Sequence, residues 1–291
     1  MFSQLLINGF IAGAIYALIA SGFSLIYSTN KFVHFAHGTV SIFGGYILYG
    51  LYSLLGLNFW LAVLLAIIST SAIGYFLNLL IYKPLRQRKS SSSILLISSV
   101  GLLILLESLI QIIFGADVKT IGFLQINTGI SIAGAFITPL QIYIIAVSFA
   151  LFVLLFLFMN KTKIGKAMRA VSDNKDVAEI VGISAERIYS WSFIIGSAIA
   201  GIAGVLISLE QNLEPTMGTG LMIKGFAGAI IGGIGSVPGA IVGSLFLGLA
   251  ENFGTWYLPT GYKDAIAFLV LFIFLLFRPN GIFTIKRGAI K

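Results

Sequence analysis

Few side chains in this sequence are equipped for chemistry, and that narrows what the chain can do. There is no cysteine, so disulfides, thiolate nucleophiles, iron–sulfur ligation and Cys-based zinc sites are excluded together. The two histidines, His34 and His37, are three residues apart, which on a helix puts both on one face and allows two metal ligands. No carboxylate lies near them, so the expectation is no bound metal, and hydrogen bonds to neighbouring helices or a pore-lining role instead. An intramembrane serine protease would need a G-x-S-G stretch with a partner histidine, and no such stretch occurs. The glycine-rich run GGIGSVPG at 232–239 is not a phosphate loop, because that motif continues into Lys and Ser or Thr, whereas Ala240 and Ile241 follow here. The chain is therefore expected to be no enzyme, to carry no cofactor, and to need a partner ATPase for any energised role.

The elements that must hold these residues are set by composition. Of 291 residues, 58% are hydrophobic and 10% charged, and mean hydropathy is +1.03. Soluble chains carry about 25% charged residues; there is too little polar side chain here to cover a globule in water. The chain is expected to be all-α and polytopic in a membrane, a single transmembrane domain over 1–291. A bilayer crossing takes about 20 mostly apolar residues. Stretches 5–27, 59–82, 94–114, 139–159, 189–209 and 262–277 qualify. Three more, 38–55, 225–235 and 239–253, are short or glycine-rich, and the last two fit half-helices meeting inside the membrane. About seven to nine transmembrane helices result. No basic residue precedes the first apolar run, so residues 1–28 are read as mature protein rather than a secretory signal.

The net charge of +8 is mostly topology. Fifteen of the 18 Lys and Arg fall at Lys31, in the loop after Tyr82, in 160–188 and in the tail; the opposite loops hold only Lys119, Lys224 and Lys263. Lys and Arg near span ends stay cytoplasmic, so the C-terminus is expected inside and the N-terminus outside, with no nucleic-acid footprint. Glu107 lies mid-span in 94–114. A carboxylate there opposes insertion by roughly 2.5–3.5 kcal/mol, while the apolar residues of the span contribute about −5 to −9 kcal/mol. The helix inserts, and Glu107 is expected to face protein or water, as a structural hydrogen bond or a proton relay. Glu210 and Glu251 are read as outer span ends, and Glu214 and Asp264 as outer-loop residues.

Residues 160–188 form the longest inside loop. Val177, Ile180 and Val181 recur at helical spacing, with Ser172 or Asp173 as the start cap, Asp176 in the first turn and Gly182 as a left-handed end. Ile164, Ala167, Met168 and Val171 make a second short stripe. A helix this short is marginal alone; it packs on its own membrane helices or enters a groove on a soluble partner.

The stretch GKAMRAVSDNKDVAEIVGIS, 165–184, resembles the coupling segment of the permease subunits of branched-chain amino-acid ABC transporters; Gly165, Met168, Arg169, Ala170, Ala178, Gly182 and Ile183 fall on the family pattern. FVHFAHGTVSIFGGY at 32–46 resembles the family's early signature through Phe35, Ala36, His37 and Gly38, with His34 where Asn is usual. IGGIGSVPGAIVGSLFLGLAE at 231–251 resembles the late signature, and RPNGIF at 278–283 the usual ending. Together they cover essentially the whole chain, and its length resembles the shorter of the family's two permease types.

The resemblance implies a type II ABC importer permease-like fold in the bacterial cytoplasmic (inner) membrane. It implies cytoplasmic ATP-binding subunits docked on 160–188, a second related permease subunit and an extracytoplasmic solute-binding protein. The coupling residues are then Gly165, Met168, Arg169, Ala170, Val177, Ala178, Ile180, Val181 and Gly182. A passage for branched-chain amino acids or similar small polar solutes is placed at His34, Phe35, His37, Gly38, Gly44, Glu107, Gly232, Gly233, Gly235 and Ser236. From the residues alone, the rows Gly235/Gly239/Gly243 and Gly196/Ala200/Gly204 fit close helix packing first, with 232–239 and Pro238 as a broken helix lining a passage the second reading. The competing function is a proton-coupled secondary transporter working through Glu107.

Overall fold

Helix starts follow from side chains that satisfy orphan backbone N–H groups. Asn58 accepts from Trp60 N–H, Ser91 from Ile94 and Ser236 from Gly239, while Thr138 and Gln141 form a reciprocal capping box with Pro139 in the first turn. In the computed structural model, which describes residues 2–123, 129–132 and 134–283, these caps open a mostly helical chain. The basic tail residues beyond 283, Lys286, Arg287 and Lys291, which the sequence analysis counts on the inside, lie outside the described residues.

In order, the elements are α1 (Phe2–Asn30), α2 (Ala36–Leu48) running into a π-turn (Tyr49–Leu54), and α3 (Phe59–Leu77) running through a second π-turn (Asn78–Tyr82) into α4 (Lys83–Gln87). Then come α5 (Ser92–Phe114), a hairpin of β1 (Ile130–Ile132) and β2 (Ala135–Ile137), α6 (Pro139–Lys161), α7 (Lys163–Asp173), α8 (Lys175–Ile180) and α9 (Ala185–Glu210). Finally α10 (Met217–Gly232), α11 (Val237–Gly254) and α12 (Lys263–Phe277) complete the chain. Among the described residues seven helices are long and apolar enough to cross a membrane, α10 being a shorter apolar helix. The antiparallel hairpin, with Ile130 opposite Ile137, is a small departure from an all-helical reading.

The passes alternate between two faces. Gln4 at the start of α1 bonds both backbone groups of Phe136 in the hairpin, and the Phe2 ring packs at a tilt against Phe253 at the end of α11. At the other face, Phe283 N–H bonds the Gly232 carbonyl and Arg86 reaches Asn30. The second face gathers 83–89, α7, α8 and Arg278, and is called the basic face below. The chain's first and last described residues lie on opposite faces.

α1 is the axis of the fold, its middle and C-terminal half almost wholly buried. α9, α10 and α11 pack around it, while α3, α5, α6 and α12 turn Leu, Ile and Phe outward, such as Ile97, Ile112, Phe149 and Phe272. Lipid supplies no hydrophobic drive between helices, so close backbone approach carries the packing. Gly13 and Gly248 bring α1 and α11 together; Gly228, Gly232, Gly239 and Gly243 do the same for α10 and α11; Gly204 seats α9 against the Ser41 carbonyl of α2. Gly235 is not part of that row: it lies in the turn between α10 and α11 at φ +86°.

Two expectations are corrected. The α10–α11 break is not a meeting of half-helices in mid-membrane. Gly233 and Ser236 share a cleft with Arg169 and Asp173 of α7, so the turn sits at the basic face. The earlier helix also begins at Met217 rather than 225, which makes Lys224 a residue of α10 and not of a loop.

A Cβ at Gly204 would meet the Ser41 carbonyl, whereas one at Gly101 meets nothing within 4 Å. Gly204→Ala is therefore expected to lower stability by about 1–3 kcal/mol through forced separation of α2 and α9. Gly101→Ala is expected to be neutral or slightly stabilising, since Ala is favoured over Gly inside helices by about 1 kcal/mol. Thermal unfolding of both variants in detergent checks the pair.

Candidate functional site

The most distinctive feature of the basic face is the corner built by α7 and α8. Thr162 closes α6 and caps α7 by accepting from Gly165 N–H. A Cβ at Gly165 would meet the Phe158 and Met159 backbone, so glycine lets the chain turn sharply there. Met168 and Val171 then bury themselves, with Ile164, Ala167 and Ala170 packed beside them. Arg169 points out and donates to Asn160 Oδ1 at 3.0 Å.

α8 starts at Asn174, whose Oδ1 accepts from the N–H of Asp176 at 3.0 Å and Val177 at 3.1 Å. The cap is thus Asn174, not Ser172 or Asp173, because α7 runs through Asp173 and leaves the next residue in the extended conformation a cap requires. At the other end Gly182 has φ +86°. Its N–H bonds the Glu179 carbonyl at 3.0 Å and the Ile183 N–H bonds the Ala178 carbonyl at 2.9 Å, a Schellman closure that only glycine adopts freely. Ala178 is the buried face of α8. Val177, Ile180 and Val181 point away from the protein, Ile180 at 83% exposure. The stripe does not pack on the chain's own membrane helices.

Beside this corner lies a cleft of about 840 Å³, walled by Phe152, Phe156 and Met159 of α6, by Lys31 and Arg169, and by the α10–α11 turn. Gly233, Gly235 and Ser236 line it; Gly232 does not, being pressed against the Gly239 backbone. Gly233 and Gly235 both have positive φ, +114° and +86°, so the turn presents bare backbone to the cleft.

The remaining passage candidates lie elsewhere, at helix crossings. Gly38 meets Gly218 of α10 and Gly44 meets Gly201 of α9. Phe35 is partly buried, and its N–H bonds Ser99 Oγ at 3.1 Å. His34 and His37 are fully buried, but not on one helical face, because α2 starts only at Ala36. His34 Nδ1 is hydrogen-bonded to Tyr82 OH at 2.8 Å, and the His37 ring lies against Gly22. Among the described residues no set of three or more His, Asp or Glu gathers to a metal-binding size. Glu107 faces protein, accepting from Thr219 Oγ1 of α10 at 2.6 Å.

Comparison with known proteins now decides the family. Residues 5–275 match the family described as the permease component of the branched-chain amino acid transport system. The chain belongs to that permease family. It is 37% identical to the high-affinity branched-chain amino acid transport system permease protein BraD of Pseudomonas aeruginosa, over 96% of this chain and 94% of the relative. It is 34% identical to the corresponding LivH of Escherichia coli, over 97% and 95%, and 30% identical to a probable LivH permease of Methanocaldococcus jannaschii, over 94% and 90%. Among solved structures, PsaBC from Streptococcus pneumoniae in complex with Fab shares the fold at a TM-score of 0.52, with 15% identity over 94% of this chain and 91% of that one. The relatives are transport permeases and not enzymes, and the protein is a multi-pass membrane permease of an ABC importer.

One polar cluster of the permease escaped the sequence reading. Glu251, taken for an outer span end, is fully buried in α11 and accepts from Tyr16 OH of α1 at 2.9 Å. Lys224 of α10 lies 3.6 Å from Glu251 and 2.8 Å from Asp264 of α12, and donates to Tyr16 OH at 3.2 Å. Asp264 is thereby held by the permease itself. A lone Lys inside IKGFAGAII was the available signal, since an intramembrane cation demands a counter-charge.

Removing one partner of a buried ion pair costs roughly 3–5 kcal/mol, because the other charge stays buried. Lys224→Met is expected to destabilise the permease on that scale, and Lys224→Met combined with Glu251→Gln to recover most of it in the same unfolding assay. Glu107→Gln keeps an acceptor for Thr219 and is expected to leave transport near the wild-type level in reconstituted vesicles.

Proposed function

We propose that this permease works as one transmembrane unit carrying branched-chain amino acids, or similar small polar solutes, into the cell across the bacterial cytoplasmic membrane. The basic face is cytoplasmic and the N-terminus outside, as the clustering of Lys and Arg on that face supports. ATP-binding subunits dock on the α7–α8 corner, a second related permease completes the membrane unit, and an extracytoplasmic binding protein delivers solute to the opposite face.

The observation that carries this reading is the outward stripe Val177, Ile180 and Val181 at a helix capped at both ends, whose inner face is the buried Ala178. Three large apolar side chains held in water by a rigid short helix are an anchor for a groove on a soluble partner. The partner's motion enters the membrane through the Gly165 corner and the Gly182 turn, neither of which has slack. The 840 Å³ cleft beside the corner is the inward mouth of the passage. There the backbone of the α10–α11 turn meets solute, and the N-terminus of α11 favours a carboxylate.

Val181→Asp is expected to abolish co-purification of the ATP-binding subunits while membrane insertion stays intact. Unchanged co-purification contradicts the docking assignment. Solute uptake by this chain alone in vesicles, without ATPases, contradicts the importer-subunit reading and favours a secondary transporter.

A further inference from the structure

Arg86 is the most heavily bonded side chain of the basic face that the reading above leaves without a task. It lies in α4, its side chain only 12% exposed. Nε donates to Glu186 Oε1 at 3.1 Å and Nη2 to Glu186 Oε2 at 2.9 Å, a two-pronged carboxylate contact. Nη2 also donates to Asn78 Oδ1 at 2.8 Å, and Nη1 to Asn30 Oδ1 at 3.3 Å. The guanidinium lies over the Tyr189 ring, 4.6 Å from its centre. One planar group thus joins the last residue of α1, the first residue of the α3 π-turn, its own helix and the first turn of α9.

These anchors are not a random set. Glu186 follows Gly182 by four residues, and the Schellman closure leaves no slack between α8 and α9. A displacement of α8 therefore carries Glu186 with it. On the other side, Asn78 opens the π-turn and Tyr82 ends it. Tyr82 OH is bonded to His34 Nδ1 in the short link between α1 and α2. Asn78 and Asn30 are in turn tied to α9, through Ser190 Oγ at 3.0 Å and Ser192 Oγ at 3.0 Å. π-turns of this kind are frequent at functional sites.

We propose that Arg86 is a positioning residue that couples the ATPase-docking segment to the α1–α2 link and the π-turn of α3. It touches no solute. It holds Glu186, Asn78 and Asn30 as one body, so that movement of α8 reaches the crossing of α1, α2, α3 and α9 rather than dissipating in the loops. The fork geometry is essential: the planar guanidinium meets both Glu186 oxygens side by side while also reaching Asn78 and Asn30, a spread that the compact ammonium of lysine does not match. The proposal rests on the docking role of α8, and its test reads docking and coupling separately.

The experiment uses the complete importer in proteoliposomes, measuring ATPase co-purification, ATP hydrolysis and solute moved per ATP. Coupling free energies typically correspond to roughly 5–150-fold. Arg86→Gln is expected to bind the ATPases normally and hydrolyse ATP while transport per ATP falls about tenfold, a size within that range. Arg86→Lys should remain impaired, and the exchange Arg86→Glu with Glu186→Arg should recover part of the loss. Asn78→Ala, which leaves the Arg86–Glu186 pair intact, should lower transport per ATP in the same way. The proposal is overturned if transport per ATP is unchanged in Arg86→Gln or Asn78→Ala. It is also overturned if assembly, hydrolysis and transport fall together, which marks a purely structural residue. Loss of the ATPases from Val181→Asp but not from Arg86→Gln upholds docking whatever the coupling result.

Discussion

Hydrocarbon offers a buried polar group no hydrogen bond and offers two helices no hydrophobic reason to meet. This permease answers both demands with small residues. Ser21, Ser28, Thr70, Ser192 and Ser208 return their hydroxyls to carbonyls three or four residues back in their own helices. Glycines on α1, α9, α10 and α11 let backbones touch backbones. The result is a tightly packed centre around α1 with an outer layer of Leu, Ile and Phe facing lipid. Lys224 enters that centre as part of a compensated set, with Glu251, Asp264 and Tyr16, and Glu107 is met by the Thr219 hydroxyl.

Against that frame the α7–α8 corner is an exception on purpose. Burying a Val or Ile side chain is worth about 1.5–3 kcal/mol, and α8 forgoes that gain for Val177, Ile180 and Val181 while spending two caps to stay helical. Rigidity without burial makes sense for a handle. Its roots are short: Met168 and Val171 hold α7 to the core, and Gly182 and Glu186 hold α8 to α9. A partner that grips the stripe therefore grips the helices that cross at Gly22, Gly196 and Gly204.

The crossings were legible because twenty-residue apolar runs have no other use, and Gly182 was legible because only a left-handed cap suits a glycine after the last apolar residue. Other features share a letter and differ in physics. Gly232 is a packing contact, Gly233 and Gly235 are positive-φ turn residues, and nothing in the string GGIG separates them. Counting every Lys as a loop residue displaced Lys224 from its helix and hid its bond to Glu251. The histidine spacing assumed a helix through residue 34, whereas the chain is still in the link before α2. The Arg86 network joins residues 30, 78, 86 and 186, a proximity that only the tertiary fold creates.

The protein contains no cysteine, so a single Val181→Cys substitution gives a thiol reporter with no background. A membrane-impermeant maleimide added to right-side-out and inside-out vesicles, with and without the ATP-binding subunits, reads both the side and the contact of α8. The account predicts labelling only in inside-out vesicles and strong protection when the subunits are bound. Labelling from the outer side, or an equal rate with and without the subunits, would contradict it.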